Sequence, residues 1–181
     1  ILSGCGVYDG AEIHESVLTY YFLDKQGYSV DFYAPNIIQK EVIDHLTKKP
    51  SSESRNVLVE SARIARGDIL DLNFFDIELY EAVIFPGGFG VAKNFSNYAE
   101  NSTNFSVDQS IKSVIKNTHA AKKPMGFLCI SPVIAASLFP DTRLTLGYTN
   151  DAQESIDILG GKGIQATAHD VVIDEDHLIA S

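Results

Sequence analysis

The chain carries two cysteines, Cys5 and Cys129, and only one of them stands where the local sequence would make a nucleophile of it. Cys129 lies in Pro124-Met-Gly-Phe-Leu-Cys129-Ile-Ser-Pro132. An apolar strand ends at Leu128, and a helix with Pro132 in its first turn begins almost at once. A thiol caught at such a turn is lifted above the carboxyl end of a sheet, where open α/β sheets bind ligands. It also faces the positive end of the following helix, which favours thiolate over thiol. The bland alternative is a small core cysteine.

Two neighbouring patterns argue for the nucleophile. Pro86-Gly-Gly-Phe-Gly90 follows another short apolar run, Glu81 to Phe85, and is expected to emerge at the same sheet end. Glycines there let backbone N–H groups approach a ligand, so Gly88 together with the amide of Ile130 forms a candidate oxyanion hole. Gly10-Ala-Glu-Ile-His-Glu15 opens the first long helix. An acidic residue in a first turn commonly just complements the helix dipole, which suffices for Glu12. Glu15 is one turn deeper and is the candidate to receive a thiol proton or to carry a substrate proton.

The remaining polar candidates each have two readings. His14 is adjacent to Glu15 but about 100° around the helix, so it either lines the pocket wall or packs as a polar residue. Cys5, in the first loop after a strand, is a resolving thiol or a plain turn residue. Asn94, just beyond the glycine loop and beside Lys93, either binds a substrate carbonyl or caps the next turn. His119 suits the end of a solvated helix and His45 a loop. Arg55, Asn56, Arg63 and Arg66 read as one helix stripe engaged in surface ion pairs or a subunit contact.

Alternating strand-like and helix-like segments must hold these residues. Helices are expected over residues 11–26, with Val17, Leu18, Tyr21 and Phe22 as the apolar stripe, 51–66 with a cap at Ser51 or Ser52, 106–121, 132–138 and 152–159. Strands are expected at the start of the chain and at 28–34, 81–85, 125–128 and 144–146. A terminal hairpin pairs 171–173 with 178–179 around Asp174-Glu-Asp176. This order predicts a single α/β domain over residues 1–181 with a mainly parallel sheet between helices. Both ends read as cut, since the sequence opens inside a strand and closes on one with no helix after it.

Composition narrows the partners. The 181 residues are 45% hydrophobic and 21% charged, with 24 acidic against 14 basic side chains and a net charge of −10. No apolar run approaches the roughly 20 residues of a membrane span. The negative charge and the lack of a basic stripe argue against nucleic acid and for a small neutral or electrophilic substrate. Two cysteines make no disulfide framework and no zinc spacing, which points to a reducing compartment and no metal. The cytoplasm is the expected location, although a targeting peptide would lie outside this sequence.

Taken together, Gly10-Ala-Glu-Ile-His-Glu15, Pro86-Gly-Gly88 and the Cys129 turn resemble the PfpI-type, class I glutamine amidotransferase-like superfamily. Leu2-Ser-Gly-Cys-Gly-Val-Tyr-Asp-Gly10, the stretch from Thr47 to Gly67, Pro86 to Asn94 and Gly126 to Pro132 are similar to its enhancing lycopene biosynthesis, or isoprenoid biosynthesis glyoxalase, subgroup. The resemblance implies a flavodoxin-like three-layer sandwich with a nucleophile elbow. It also implies Cys129 as nucleophile, Glu15 as the carboxylate hydrogen-bonded to it, and Gly88 and Ile130 at the oxyanion-hole positions. Members of the subgroup are described as cofactor-independent glyoxalases of small 2-oxoaldehydes, and a homodimer is implied as well. The chain departs from amidotransferases in having Phe127 and Ser131 where their elbow has glycines. No late His-x-Glu exists, because His169 is followed by Asp170-Val171 and His177 by Leu178-Ile179. Glutaminase and full-triad protease activities are therefore not expected. The rival expectations are a redox-sensing or regulatory amidotransferase-like protein built on the same thiol, and a degenerate domain that only binds.

Overall fold

Three of the helices, those ending at Lys25, Ile64 and Ile158, stop where the sequence places glycine two or three residues further on. This is seen in the computed structural model, which describes residues 1–102 and 104–181. The chain divides into two compact units, residues 1–75 with 86–111 and residues 76–85 with 112–181.

In the first unit, α1 (Ile13–Lys25) ends before Gly27 and α2 (Val57–Ile64) before Gly67. Strand β1 (Tyr33–Ala34) pairs in parallel with β4 (Leu70–Asp71), and β2 (Val42–Asp44) pairs antiparallel with β3 (Lys49–Ser51). A short helix α3 (Phe89–Lys93) follows the glycine loop. Leu2, Ala11, Ala34 and Val57 form a buried cluster against which Phe32, Ile37, Leu58, Ile64 and Ile69 pack.

Three expectations change here. Residues 1–3 form no strand; the Leu2 N–H donates to the Tyr33 carbonyl at 2.7 Å, one bond rather than a ladder. The helix expected from Ser51 starts six residues later, because Ser51 belongs to β3. Its cap is Asn56, whose side chain accepts from the Val59 N–H. Arg55 and Asn56 thus precede α2, and Arg55 and Arg63 both pair with the buried Glu60.

The third change concerns α1. Val17, Leu18, Tyr21 and Phe22 are 45–55% exposed, and the buried residue of the helix is Ser16. The cause is rotational. The Ser16 hydroxyl donates to the Glu12 carbonyl and the Glu15 carboxylate is tied to the glycine loop. With that face turned inward, side chains one and two positions further on swing roughly 100° and 200° away.

The second unit is built on a four-stranded sheet ordered β5 (Val83–Phe85), β6 (Met125–Phe127), β10 (Ile179–Ala180) and β9 (Ile173–Asp174). The first three run parallel and β9 is antiparallel, so the expected terminal hairpin is present. Helices α4 (Gln109–Ala120) and α5 (Pro132–Leu138) fall within the expected segments, and α6 (Asn150–Ile158) begins two residues before the expected 152–159 because Thr149 caps it. A second parallel pair joins β7 (Arg143–Leu144) to β8 (Lys162–Gly163). The Phe85 and Phe127 rings stack with centroids 4.9 Å apart. Met125, Ile134, Leu144, Ile156 and Ile179 are fully buried, which supplies the apolar burial expected to dominate stability.

Candidate functional site

In the second unit, β5 and β6 run side by side with Phe85 opposite Phe127. The chain therefore leaves both strands at the same end of the sheet. After Phe127 the backbone turns sharply. The Leu128 N–H donates to the Phe85 carbonyl at 3.0 Å, and the Ser131 N–H donates back to the Leu128 carbonyl at 2.9 Å. Between them Cys129 sits at φ +55°, a left-handed conformation that a residue with a side chain adopts only under constraint. Its side chain is exposed. A strained, exposed residue between a strand and a helix is the geometry of a nucleophile elbow.

Ser131 provides the constraint. Its hydroxyl lies 2.8 Å from both the Phe85 and the Leu128 carbonyl oxygens, and the residue is fully buried. The sequence marked Ser131 only as a departure from glycine, yet its hydroxyl is what ties the turn to the adjacent strand. Pro132 then opens α5, as its fixed φ and missing N–H permit. The Ile130 N–H makes no hydrogen bond among the described residues, while the Ile130 carbonyl accepts from Val133.

The first unit holds the carboxylate and the glycine loop. The Glu12 N–H donates to the Gly87 carbonyl at 3.0 Å, and the Gly87 N–H donates to Glu15 Oε2 at 2.8 Å. This two-way clasp fixes one oxygen of Glu15. It also orients the next peptide: in a trans peptide the C=O and N–H point in opposite directions, so anchoring the Gly87 oxygen on Glu12 aims the Gly88 N–H away from α1. That N–H makes no hydrogen bond among the described residues. Gly88 is at φ +95°, and a Cβ there would stand 2.4 Å from the Gly10 oxygen and 2.5 Å from the Glu12 nitrogen. Only glycine meets both conditions.

Glu12 is the N-cap of α1. One carboxylate oxygen accepts from the Glu15 N–H at 2.7 Å and the other meets His14 Nδ1 at 2.9 Å. Burial works against ionisation of Glu12, but the bonds from His14 and the Glu15 amide outweigh it and hold the carboxyl below its usual range. Of the two roles considered for His14, lining the pocket wall does not hold. Its side chain is 87% exposed and turned to Glu12, whose carboxylate raises the imidazole pKa.

Asn94 and Cys5 also settle into supporting places. Asn94 is buried and its amide fully engaged: Nδ2 donates to the Ser3 and Asp9 carbonyls at 2.9 Å each, and Oδ1 accepts from the Lys40 N–H at 2.9 Å. No group of that amide is left for a substrate carbonyl. Cys5 is half-buried, and desolvation, with Glu60 and Asp9 adding to it, pushes its thiol pKa up despite the Arg63 and Arg55 guanidiniums. It is a poor thiolate. His45, in the β2–β3 turn, takes a larger part than its sequence suggested: Nε2 lies 3.3 Å from the Tyr8 N–H, and Nδ1 2.9 Å from the Ile43 carbonyl.

Among the described residues no group of three or more His, Cys, Asp or Glu side chains is placed to hold a metal ion. Among the same residues no helix is long and apolar enough to cross a membrane.

The parallel sheet and the left-handed cysteine between strand and helix define an α/β protein of the nucleophile-elbow class. No protein-family model matches the sequence. A solved structure of an isoprenoid biosynthesis protein with an amidotransferase-like domain from Ehrlichia chaffeensis is 38% identical. It superposes with a TM-score of 0.92, over 99% of this chain and 83% of that one. The human glutamine amidotransferase-like class 1 domain-containing protein 3, mitochondrial, is 44% identical over 172 residues, 90% of this chain and 64% of the relative. The rat mitochondrial ES1 protein homolog is 47% identical over 152 residues, 83% of this chain and 57% of the relative. The chain belongs to the class I glutamine amidotransferase-like superfamily and has its α/β fold. It spans less than two thirds of the length of these two mammalian relatives.

Proposed function

We propose that the protein is a cofactor-independent glyoxalase-like enzyme that converts small 2-oxoaldehydes to hydroxy acids through Cys129, without glutaminase activity. The observation that carries this reading is the exposed Cys129 thiol held at positive φ by the turn that Ser131 ties down. The thiolate adds to the aldehyde carbon, and the resulting hemithioacetal oxyanion is held by the backbone amides of Gly88 and Ile130. Glu15 takes the proton from that carbon and returns it to the neighbouring carbonyl carbon through an enediol. This leaves a thioester, which water hydrolyses to the hydroxy acid and free thiolate. The net change is addition of one water, with no external oxidant or reductant.

Phe127 and Ser131, which stand where the elbow of amidotransferases has glycines, support a carbonyl substrate over glutamine. A homodimer acting on a small carbonyl compound, with neither nucleic acid nor membrane as partner, completes the reading. The mitochondrial location in the relatives' names supports an organellar matrix as an alternative to the cytoplasm; both are reducing. The test is turnover of glyoxal and methylglyoxal without glutathione by wild type and Cys129→Ala. Hydroxy-acid formation lost in the variant, with its far-UV circular dichroism unchanged, is expected; equal turnover by both would overturn the mechanism.

The exposure of Cys129 also favours a second reading, a redox sensor in which the thiol oxidises to sulfinic acid. Peroxide titration followed by intact mass separates the two. Rapid single-site oxidation with no aldehyde turnover is the result expected of a sensor.

A further inference from the structure

Of the buried polar groups that the proposed chemistry leaves unused, Asp9 and Asn94 stand out because both converge on the loop facing Gly88. Asp9 is 3% exposed and Asn94 7%. Asp9 Oδ2 accepts from the Ile43 N–H at 2.7 Å, and its Oδ1 faces His45 Nε2 at 3.9 Å. Asn94 bonds twice to one stretch, at the carbonyls of Ser3 and Asp9, and once to another, at the N–H of Lys40. Lys93 adds a bond from Nζ to the Tyr8 carbonyl at 2.8 Å and pairs with Glu41.

What these anchors hold is the 3–12 segment, and that segment holds the glycine loop. The Phe89 N–H donates to the Val7 carbonyl at 2.8 Å, the Gly90 N–H to the Gly10 carbonyl at 2.9 Å, and the Glu12 N–H to the Gly87 carbonyl at 3.0 Å. The backbones touch so closely that a Cβ at Gly88 would lie 2.4 Å from the Gly10 oxygen. One at Gly90 would lie 2.4 Å from Ser3 Oγ. A displacement of the 3–12 segment therefore passes directly into the direction of the Gly88 N–H.

We propose that Asp9 and Asn94 are positioning residues for the Gly88 oxyanion donor, acting through the 3–12 segment. The β2–β3 hairpin serves as the outer brace to which Asp9 is tied. The inference rests on the reading of Gly88 as that donor. Asp9→Ala removes the brace. Asp9→Asn keeps a side-chain oxygen to accept from Ile43 and is the conservative rescue. Misplacing a donor by a fraction of an ångström to an ångström is worth about 10- to 100-fold in rate. In glyoxal turnover, kcat of Asp9→Ala is accordingly expected to fall by that much with KM within about threefold, and Asp9→Asn to recover most of the loss.

A second readout does not need turnover. In protein labelled with 15N-glycine, the Gly88 amide resonance should move in Asp9→Ala and return in Asp9→Asn, with Gly147 as an unmoved control. If Asn94→Ala fails to fold, the Asp9 pair carries the test alone. A folded Asp9→Ala with an unmoved Gly88 resonance overturns the inference, as does one with wild-type kcat where wild type turns over glyoxal. Absence of turnover in the wild type, with the Gly88 resonance still moving and recovering, overturns the glyoxalase reading and leaves the positioning role standing.

Discussion

The hydroxyl of Ser131 lies 2.8 Å from the carbonyl oxygen of Phe85, a residue 46 positions earlier in the chain. Two adjacent strand ends and the turn that presents Cys129 are thus tied by one side chain. A hydroxyl has a single proton, so it is shared between Phe85 and Leu128. Its removal takes away the second donor at two carbonyls that each keep one backbone N–H, from Leu128 and from Ser131. Ser131→Ala is expected to lower stability by about 1–2 kcal/mol and to loosen the elbow. Urea denaturation measures the first effect. A drop in the rate of Cys129 alkylation or turnover, larger than the lost stability explains, reports the second.

Replacing the nucleophile separates strain from chemistry. Cys129 occupies a left-handed conformation at φ +55° that favours glycine. Both Cys129→Ala and Cys129→Gly should abolish turnover. Cys129→Gly should nevertheless be the more stable of the two by about 0.5–1 kcal/mol, after the extra chain entropy of glycine is set against the relieved strain. Equal midpoints in denaturant would show that the elbow stores no strain at this residue.

Gly88→Ala meets two obstacles at once, the φ of +95° and the nearby Gly10 oxygen and Glu12 nitrogen. A cost of about 2–5 kcal/mol follows from strain plus overpacking, read as a fall in Tm. Turnover should be lost even in the folded fraction.

The two thiols should differ in alkylation. Cys129 is exposed, whereas burial raises the Cys5 pKa. A limiting dose of iodoacetamide at pH 7 is expected to give one adduct, on the peptide containing Cys129. The labelling rate should be unchanged in Cys5→Ser. Labelling of Cys5 first would contradict the burial argument.

Much of this was legible before any coordinates. The elbow could be read because strand, cysteine and Pro132 follow one another without a gap, and α5 begins where Pro132 requires. The β5–β6 pairing could be read from two short apolar runs, each ending in a turn. Other features left no local trace. The β2–β3 hairpin has strands of three residues, one of them Lys49-Pro50-Ser51, with neither alternation nor an Asn-Gly turn. The rotation of α1 is set by the bonds that Glu12 and Glu15 make to Gly87, outside the helix, so its apolar residues indicate the wrong face. Asn94 is a third such case: an amide saturated by Ser3, Asp9 and Lys40 looks in sequence like any polar residue past a glycine loop.

Acid should loosen the second unit in two stages. Asp174 is held below the usual carboxylate range: burial opposes its ionisation, but bonds from the Arg143 and His177 amides and the His177 ring prevail. His119 is lowered too, chiefly by desolvation and then by the nearby His177 and Lys116. Both folded values lie below the unfolded ones, so each contribution is complete above the unfolded pKa and is lost as pH falls toward the folded one. The His119 part should fade below about pH 6.5 and the Asp174 part below about pH 4. His119→Gln should flatten the Tm profile between pH 7 and 5 while leaving the acid limb in place.

The bond from Asn94 to Ser3 spans 91 positions, which sets the order of events during synthesis. Until Asn94 has cleared the ribosome, the Ser3 and Asp9 carbonyls have only water as a partner, and the loop around Cys5 has no glycine surface to rest against. At 5–20 residues per second, roughly 5 to 20 seconds separate the emergence of one end of this bond from that of the other. The nascent first unit spends that interval unclosed, so chaperone contacts during translation should concentrate on its opening residues.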